Sequence, residues 1–274
     1  MVALIEVNRV SMSYGAPPRP VLRDIDLCIE ESEFVCLLGQ TGCGKSTLLR
    51  LLLGSEHPVE GKVLIEGKVH HQPDCTRGYV PQKYSLFPDK TVLDNITFGP
   101  EVSHFRLWRR WTPAFRRRRR ELRRQAADYL RKIGLSQADG SKYPDQLSGG
   151  MQQRVAIAQA LMTEPRILLM DEAFSALDPG TRKDMQRLIR TLWRATGTTI
   201  LFVTHNTHEA IRLATRVVVL ARNSPEEPSR IALDLRIPDP CSDELAAELI
   251  NRLETVSENA ASAQTVAARN ELVT

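Results

Sequence analysis

The chain has no run of about 18 apolar residues, so nothing in it is long and apolar enough to cross a bilayer as a helix. It has no Cys-x-x-Cys pair either. Cys28, Cys36, Cys43, Cys75 and Cys241 are scattered, which argues against a zinc or disulfide framework and predicts reduced thiols. The opening Met1-Val2-Ala3-Leu4-Ile5-Glu6-Val7 lacks the charged-then-apolar order of a signal peptide and reads as a strand, so a cytosolic chain is expected. What is present is 42% hydrophobic content over 274 residues, enough for one large α/β core with a small appended lobe. The net charge is only +4, but it is unevenly placed.

The most informative stretch is Gly39-Gln40-Thr41-Gly42-Cys43-Gly44-Lys45-Ser46-Thr47. Two glycines bracket four residues, and Lys-Ser follows, which is the pattern of a phosphate-binding loop. Phe34-Val35-Cys36-Leu37-Leu38 before it reads as a buried parallel strand, and Leu48, Leu49, Leu51, Leu52 and Leu53 after it as a helix ending near Gly54. A strand, a glycine turn and a helix N-terminus point several backbone N–H groups at one spot, where the helix dipole favours an anion. Lys45 then reaches the β- and γ-phosphates of a nucleotide, and the Ser46 hydroxyl sits on Mg²⁺. The rival reading, a glycine turn before a core helix, explains the glycines but not Lys-Ser-Thr at this spacing.

Along the rest of the chain, residues 2 to 38 alternate like a β-rich edge, interrupted by the proline-rich loop Tyr14 to Pro20. Tyr14 is a strand-end aromatic or a residue that stacks on a base. Val59 to Gly67 reads as turn, strand and turn, and Tyr79-Val80-Pro81-Gln82 as a strand closed by proline. Leu122, Ala126, Tyr129, Leu130 and Ile133 recur at helical spacing from Glu121, with Gly134 as C-cap. Leu147-Ser148-Gly149-Gly150 opens another helix. Ile167 to Met170, Thr199 to Val203 and Val217 to Leu220 are three further buried strands, with an amphipathic helix from Thr181 to Arg194 between the first two. Strands alternating with helices predict a mostly parallel sheet. Beyond Asn223 the pattern weakens, with one helix over 243 to 254 and a disordered tail.

Further constellations carry chemistry. Asp171 and Glu172 end an apolar strand: the Asp can hold a Mg²⁺ shell and the Glu can polarise a water. Ser148, Gly149 and Gly150 place a hydroxyl and bare N–H groups at a helix N-terminus, a second anion site or simply a cap. Gln82 can reach the metal or the water, and His205 a γ-phosphate, though a single Gln or His in such a place is commonly structural.

In order, Gly39 to Thr47, Gln82, Leu147 to Arg154, Ile167 to Glu172, Ser175-Ala176-Leu177-Asp178 and His205 resemble the full motif set of ATP-binding cassette (ABC) transporter ATPases. The resemblance covers residues 2 to about 222, and within the family is greatest to importer ATPases for nitrate, sulfonates and taurine, with some likeness to those for glycine betaine. It implies a P-loop NTPase-type α/β fold: a mostly parallel sheet with an antiparallel β edge and a helical signature subdomain at about 83–163. It also implies two such chains paired head to tail, ATP and Mg²⁺ held by Lys45, Ser46 and Asp171 of one chain, and a cap from Ser148, Gly149, Gly150 and Gln152 of the other. By the same resemblance Tyr14 stacks on adenine and Gln82 senses the metal. Glu172 is the general base, His205 the γ-phosphate switch, and Asp178 the coupling residue. Integral membrane permease subunits and a solute-binding protein are the implied partners, at the cytoplasmic face of the inner membrane. Ala173 stands where the family usually has Pro and Asn206 where it has Asp; neither removes a catalytic group.

Between Thr97 and Glu121 the sequence aligns with nothing in the family, and a run of unusual charge overlaps that stretch. Residues 104–124 hold ten arginines against one glutamate, a formal +9, so the remainder of the chain totals −5. Phe105, Trp108, Trp111 and Phe115 are interleaved with the arginines, a combination that suits an anionic lipid interface or an acidic permease surface; a solvated insertion stands equally beside that reading, and a nucleic-acid contact behind both. A nucleic-acid-directed ABC ATPase is the rival class. Such proteins usually have two cassettes, zinc modules or coiled-coil insertions, and this chain has one cassette and only about a hundred residues between its phosphate loop and Ser148.

Overall fold

The computed structural model describes residues 3–83, 85–104, 113–224, 226–238 and 242–256. They fall into two units, Met1–Pro73 with Thr196–Thr274, and Asp74–Ala195. The tail beyond 256 and the Trp-containing residues 105–112 lie outside the described residues.

In the first unit, β1 (Ala3–Tyr14) and β2 (Arg19–Glu30) pair antiparallel, and β4 (Glu60–Ile65) and β5 (Lys68–Val69) extend the same sheet in the order β2-β1-β4-β5. Alternation decides this: Ile5, Val7, Val10 and Met12 face the core while their neighbours are more exposed. This is the expected antiparallel edge. Strand β3 (Phe34–Leu38) is different, with all five residues buried. Parallel strands β8 (Thr199–Thr204) and β9 (Arg216–Ala221) flank it, so neither its faces nor its edges meet solvent. Helix α1 (Lys45–Leu53) follows β3, and α6 (Thr207–Leu213) follows β8.

Strand β10 (Arg230–Arg236) then pairs antiparallel with β9, an extension that the sequence pattern does not announce. Arg216 fastens this edge: its guanidinium donates twice to Asp234 at 2.7 Å and once to Glu33 at 3.3 Å. Those carboxylates, Asp234 first, raise the guanidinium's pKa still further above its ordinary value. A last helix over 243–256 buries Leu249 and Leu253, four residues apart, and Ser242 bonds the Leu245 N–H at its start.

The second unit holds the parallel pair β6 (Arg77–Val80) and β7 (Ile167–Asp171). It also holds helices α2 (Val92–His104), α3 (Pro113–Lys132), α4 (Gly149–Leu161) and α5 (Pro179–Thr196). Leu122, Ala126 and Leu130 of α3 pack with Val92 and Ile96 of α2, with Val155 and Ala158 of α4 and with Met162 just after it in one apolar cluster. Truncating a fully buried leucine such as Leu130 to alanine costs about 2–5 kcal/mol at such a site. Helix α3 starts eight residues before the Glu121 at which its apolar periodicity begins. Proline suits a first helical position, since that N–H has no intrahelical partner, and the arginine run that follows has good helix propensity. Gly134, at φ 72, ends it as the sequence predicts.

Candidate functional site

The phosphate loop is built in the first unit. Gly44 is the N-cap of α1, at φ 91, and a Cβ there would approach Leu22 Cδ2 at 2.7 Å. At Gly39 a Cβ would meet the Leu220 carbonyl oxygen at 2.5 Å. Both positions therefore exclude side chains, which is why glycine recurs here. Among the described residues no side chain caps α1, and no acidic residue lies in its first turn. The positive dipole end of α1 thus favours an external anion. The other helix starts differ. Asn206 bonds the Glu209 N–H at α6, Ser148 the Met151 N–H at α4, and Asp178 the Gly180 and Thr181 N–H groups at α5.

Lys45 is buried, and its ammonium donates to the carbonyl oxygens of Gly39 at 2.7 Å and Gln40 at 2.8 Å. The charge is held over the glycine loop by the loop's own backbone. Cys43, also buried, has its thiol pKa pushed up by that burial and so stays neutral inside the loop. A glycine-lined cradle, an uncapped helix start and a buried ammonium fit a nucleotide polyphosphate. Among the described residues no cluster of three His, Cys, Asp or Glu side chains exists. Mg²⁺ carried by phosphates and one or two protein oxygens needs no such cluster.

Tyr14, at the end of β1, leans on the same loop. Its hydroxyl donates to Glu56 and lies 3.4 Å from Thr47 Oγ1, while Arg50 holds Glu56 at 2.9 Å. Partial burial and then the Glu56 carboxylate push the Tyr14 phenol up. Sequence reasoning missed Glu56. Its link to Tyr14 spans 42 residues and belongs to no motif. His205 follows β8 directly, and Asn206 after it serves as the cap of α6, so the change from the family's Asp keeps the helix start intact.

The remaining predicted residues belong to the second unit. Asp171 ends β7, and Glu172 follows at φ 43, a left-handed backbone that non-glycine residues adopt at a cost of roughly 1–3 kcal/mol. The Gln82 amide donates to Glu172 Oε2 at 3.3 Å, and the Ser175 N–H to the Glu172 carbonyl at 3.0 Å. Buried Ala173 and Phe174 fix the chain beyond it. Ser148 caps α4, and Gly150 lies where a Cβ would stand 2.5 Å from Thr181 Cγ2. The Gln152 amide donates to the carbonyls of Pro144 at 2.7 Å and Leu147 at 3.3 Å, so it braces the turn that presents Ser148. Asp178 is held below the usual carboxylate range by hydrogen bonds, those of Thr181 foremost.

Comparison with known proteins identifies the family. The model of the ABC transporter family matches residues 22–175, more than half of the chain. The sulfate/thiosulfate import ATP-binding protein CysA 2 of Rhizobium meliloti is 42% identical over 227 residues, covering 81% of this chain and 59% of that protein. The chain thus spans less than two thirds of that relative's length. The taurine import ATP-binding protein TauB of Rhizobium johnstonii is 38% identical over 234 residues, 84% of each. A solved ATP-binding cassette, dimeric in a post-hydrolysis state with ADP and Pi, superposes with a TM-score of 0.70 at 28% identity, covering 85% of this chain and 99% of that one.

Proposed function

The chain belongs to the ABC transporter family and is an ATPase of that class, and from that premise we propose that two copies power the import of a small anion through a separate membrane permease. The observation that carries the reading is the uncapped, glycine-lined start of α1 with the Lys45 ammonium held beside it. A phosphate chain accepts from N–H groups of the loop and takes up the lysine charge. ATP bound with Mg²⁺ supplies the phosphoanhydride bond that is broken.

The roles of the chain's own residues follow from their chemistry. Lys45 and the loop N–H groups of Gly42 to Thr47 bind and orient the β- and γ-phosphates, and Ser46 with Asp171 and Gln82 holds the metal. Glu172 accepts the proton of the attacking water. Its strained backbone and the Gln82 bond hold its carboxylate in one orientation. His205 steadies the γ-phosphate. Tyr14 offers its ring to the base, with its hydroxyl tied back to Glu56. Ser148, Gly149 and Gly150 cap the ATP of the opposite chain, and Asp178 couples the two sites. Gln152 serves that cap indirectly, by bracing the Ser148 turn.

Relatives named for sulfonate, taurine and nitrate import support a nitrate-, sulfonate- or taurine-like solute, delivered by a solute-binding protein. Among the described residues no helix is long and apolar enough to cross a membrane, which agrees with peripheral attachment at the cytoplasmic face of the inner membrane. The domain division follows the same reading: a cassette over 1–222, its helical subdomain at about 83–163, the basic insertion at about 104–124, and an extension over 223–274. The experiment is purification of the chain from detergent-solubilised membranes, then reconstitution of what accompanies it. An integral membrane protein whose solute uptake in vesicles requires ATP is the expected result. Recovery with nucleic acid and no membrane protein overturns the reading.

A further inference from the structure

The arginines at 116–124 of helix α3 fall into two sets. Arg119 is held by Asp94 and Glu101 of α2, each at 3.1 Å, and Arg123 by Asp94 at 2.5 Å. These two fasten the helix to its neighbour. Arg116, Arg117, Arg118, Arg120 and Arg124 have no carboxylate partner among the described residues. Positions 116, 120 and 124 share one face at i, i+4 spacing, away from the buried Leu122, Ala126 and Leu130. Arg117, Arg118, Arg120 and Arg124, with Glu121, border one open cavity of about 790 Å³.

Like charges four apart on a helix repel and weaken it. A solvated face has no need of four guanidinium groups around one depression that, among the described residues, a single carboxylate, Glu121, borders. We propose that this unpaired face of α3 docks on the anionic phospholipid headgroups of a membrane leaflet, guanidinium to phosphate. Arginine matches phosphate oxygens through its planar fork of donors. Lipid is favoured over nucleic acid because Trp108 and Trp111 precede the run in sequence, and tryptophan is at home at headgroup level. The choice also rests on the transport reading above, which brings the chain to a membrane.

The test uses the full chain, wild type and with Arg116, Arg117, Arg120 and Arg124 all changed to Gln, sedimented with vesicles of phosphatidylcholine alone or mixed with phosphatidylglycerol. ATP turnover in solution checks the fold. An arginine near an anionic surface is worth roughly fivefold in partitioning, so losing four weakens binding to phosphatidylglycerol vesicles by about 10²–10³ while turnover stays within about twofold. Changing the same four to Lys keeps most of the binding. Wild-type binding also collapses between about 0.1 and 1 M salt, as screening shortens from about 10 to 3 Å. Equal wild-type binding to both vesicle types overturns the proposal. So does indifference to vesicles with tight binding of a DNA duplex through the same arginines. If the chain binds anionic vesicles but never yields a permease complex, the transport reading fails and this one stands.

Discussion

The side-chain amide of Gln82 donates to Glu172 Oε2 at 3.3 Å, joining residues 90 positions apart across the ends of two paired strands. The bond restrains a carboxylate whose backbone is already in a left-handed conformation. Gln82→Ala frees it. A hydrogen bond to a charged group is worth about 1.5–3 kcal/mol, discounted here because the pair is exposed. Turnover is expected to fall about tenfold, with nucleotide affinity changed less than about threefold. An unaltered kcat contradicts this role for Gln82.

Glu56 positions Tyr14 and touches no phosphate-loop backbone. Glu56→Ala removes the acceptor of the Tyr14 hydroxyl and the partner of Arg50. Nucleotide affinity is predicted to weaken about fivefold, the equivalent of roughly 1 kcal/mol for an exposed bond, with kcat at saturating ATP little changed. Glu56→Gln, which still accepts from Tyr14, recovers most of it. Equal losses in both variants, read by equilibrium binding of a fluorescent ATP analogue, argue against positioning through the hydroxyl.

Gly150 is required by Thr181. Gly150→Ala drives a methyl against Thr181 Cγ2, overpacking that costs about 1–3 kcal/mol. Thr181→Ser removes the opposing methyl, so the double variant is expected to regain most of the lost stability in thermal melts. Additive losses contradict the contact.

Asp139 gives the second unit an acid-sensitive tie. Hydrogen bonds from Lys142 and Ser136 lower its carboxyl to about 2, against about 3.9 for an unfolded aspartate. A depressed folded value means stabilisation present above about pH 4 and lost as pH falls through about 2. Denaturation midpoints of wild type and Asp139→Asn should therefore differ at neutral pH and converge across that window. A constant gap down to about pH 2 contradicts the assignment.

Much of this was legible because local chemistry dictated it. Phe34–Leu38 is an unbroken apolar run of strand length, as a strand covered on all sides has; Gly39 to Thr47 is a local pattern, although the contacts that demand its glycines, Leu220 and Leu22, are distant in sequence. The start of α3 was hidden because arginines at 116–120 have no apolar period to read, and Pro113 at the first helical position was the available signal. Strand β10 was hidden for a related reason. Its alternating Ile231, Leu233 and Leu235 are only half-buried and follow a polar loop, and its hold on β9 depends on the Arg216–Asp234 pair. The Tyr14–Glu56 and Gln82–Glu172 links join residues far apart in sequence, where spacing says nothing. Gln152 has a local role that its motif position does not announce, since its amide braces the turn before α4.

The central claim is that this chain hydrolyses ATP with Glu172 as the base. It is tested most directly by measuring turnover and ATP binding of Glu172→Gln beside wild type. The glutamine keeps the size and a hydrogen-bonding amide but cannot take a proton, and a general base is worth about 10²–10⁴ in rate. Turnover should fall by that order while ATP still binds, and the variant should accumulate as an ATP-bound dimer on a sizing column. Turnover equal to wild type, with ATP bound equally well, would contradict the account and move the base elsewhere.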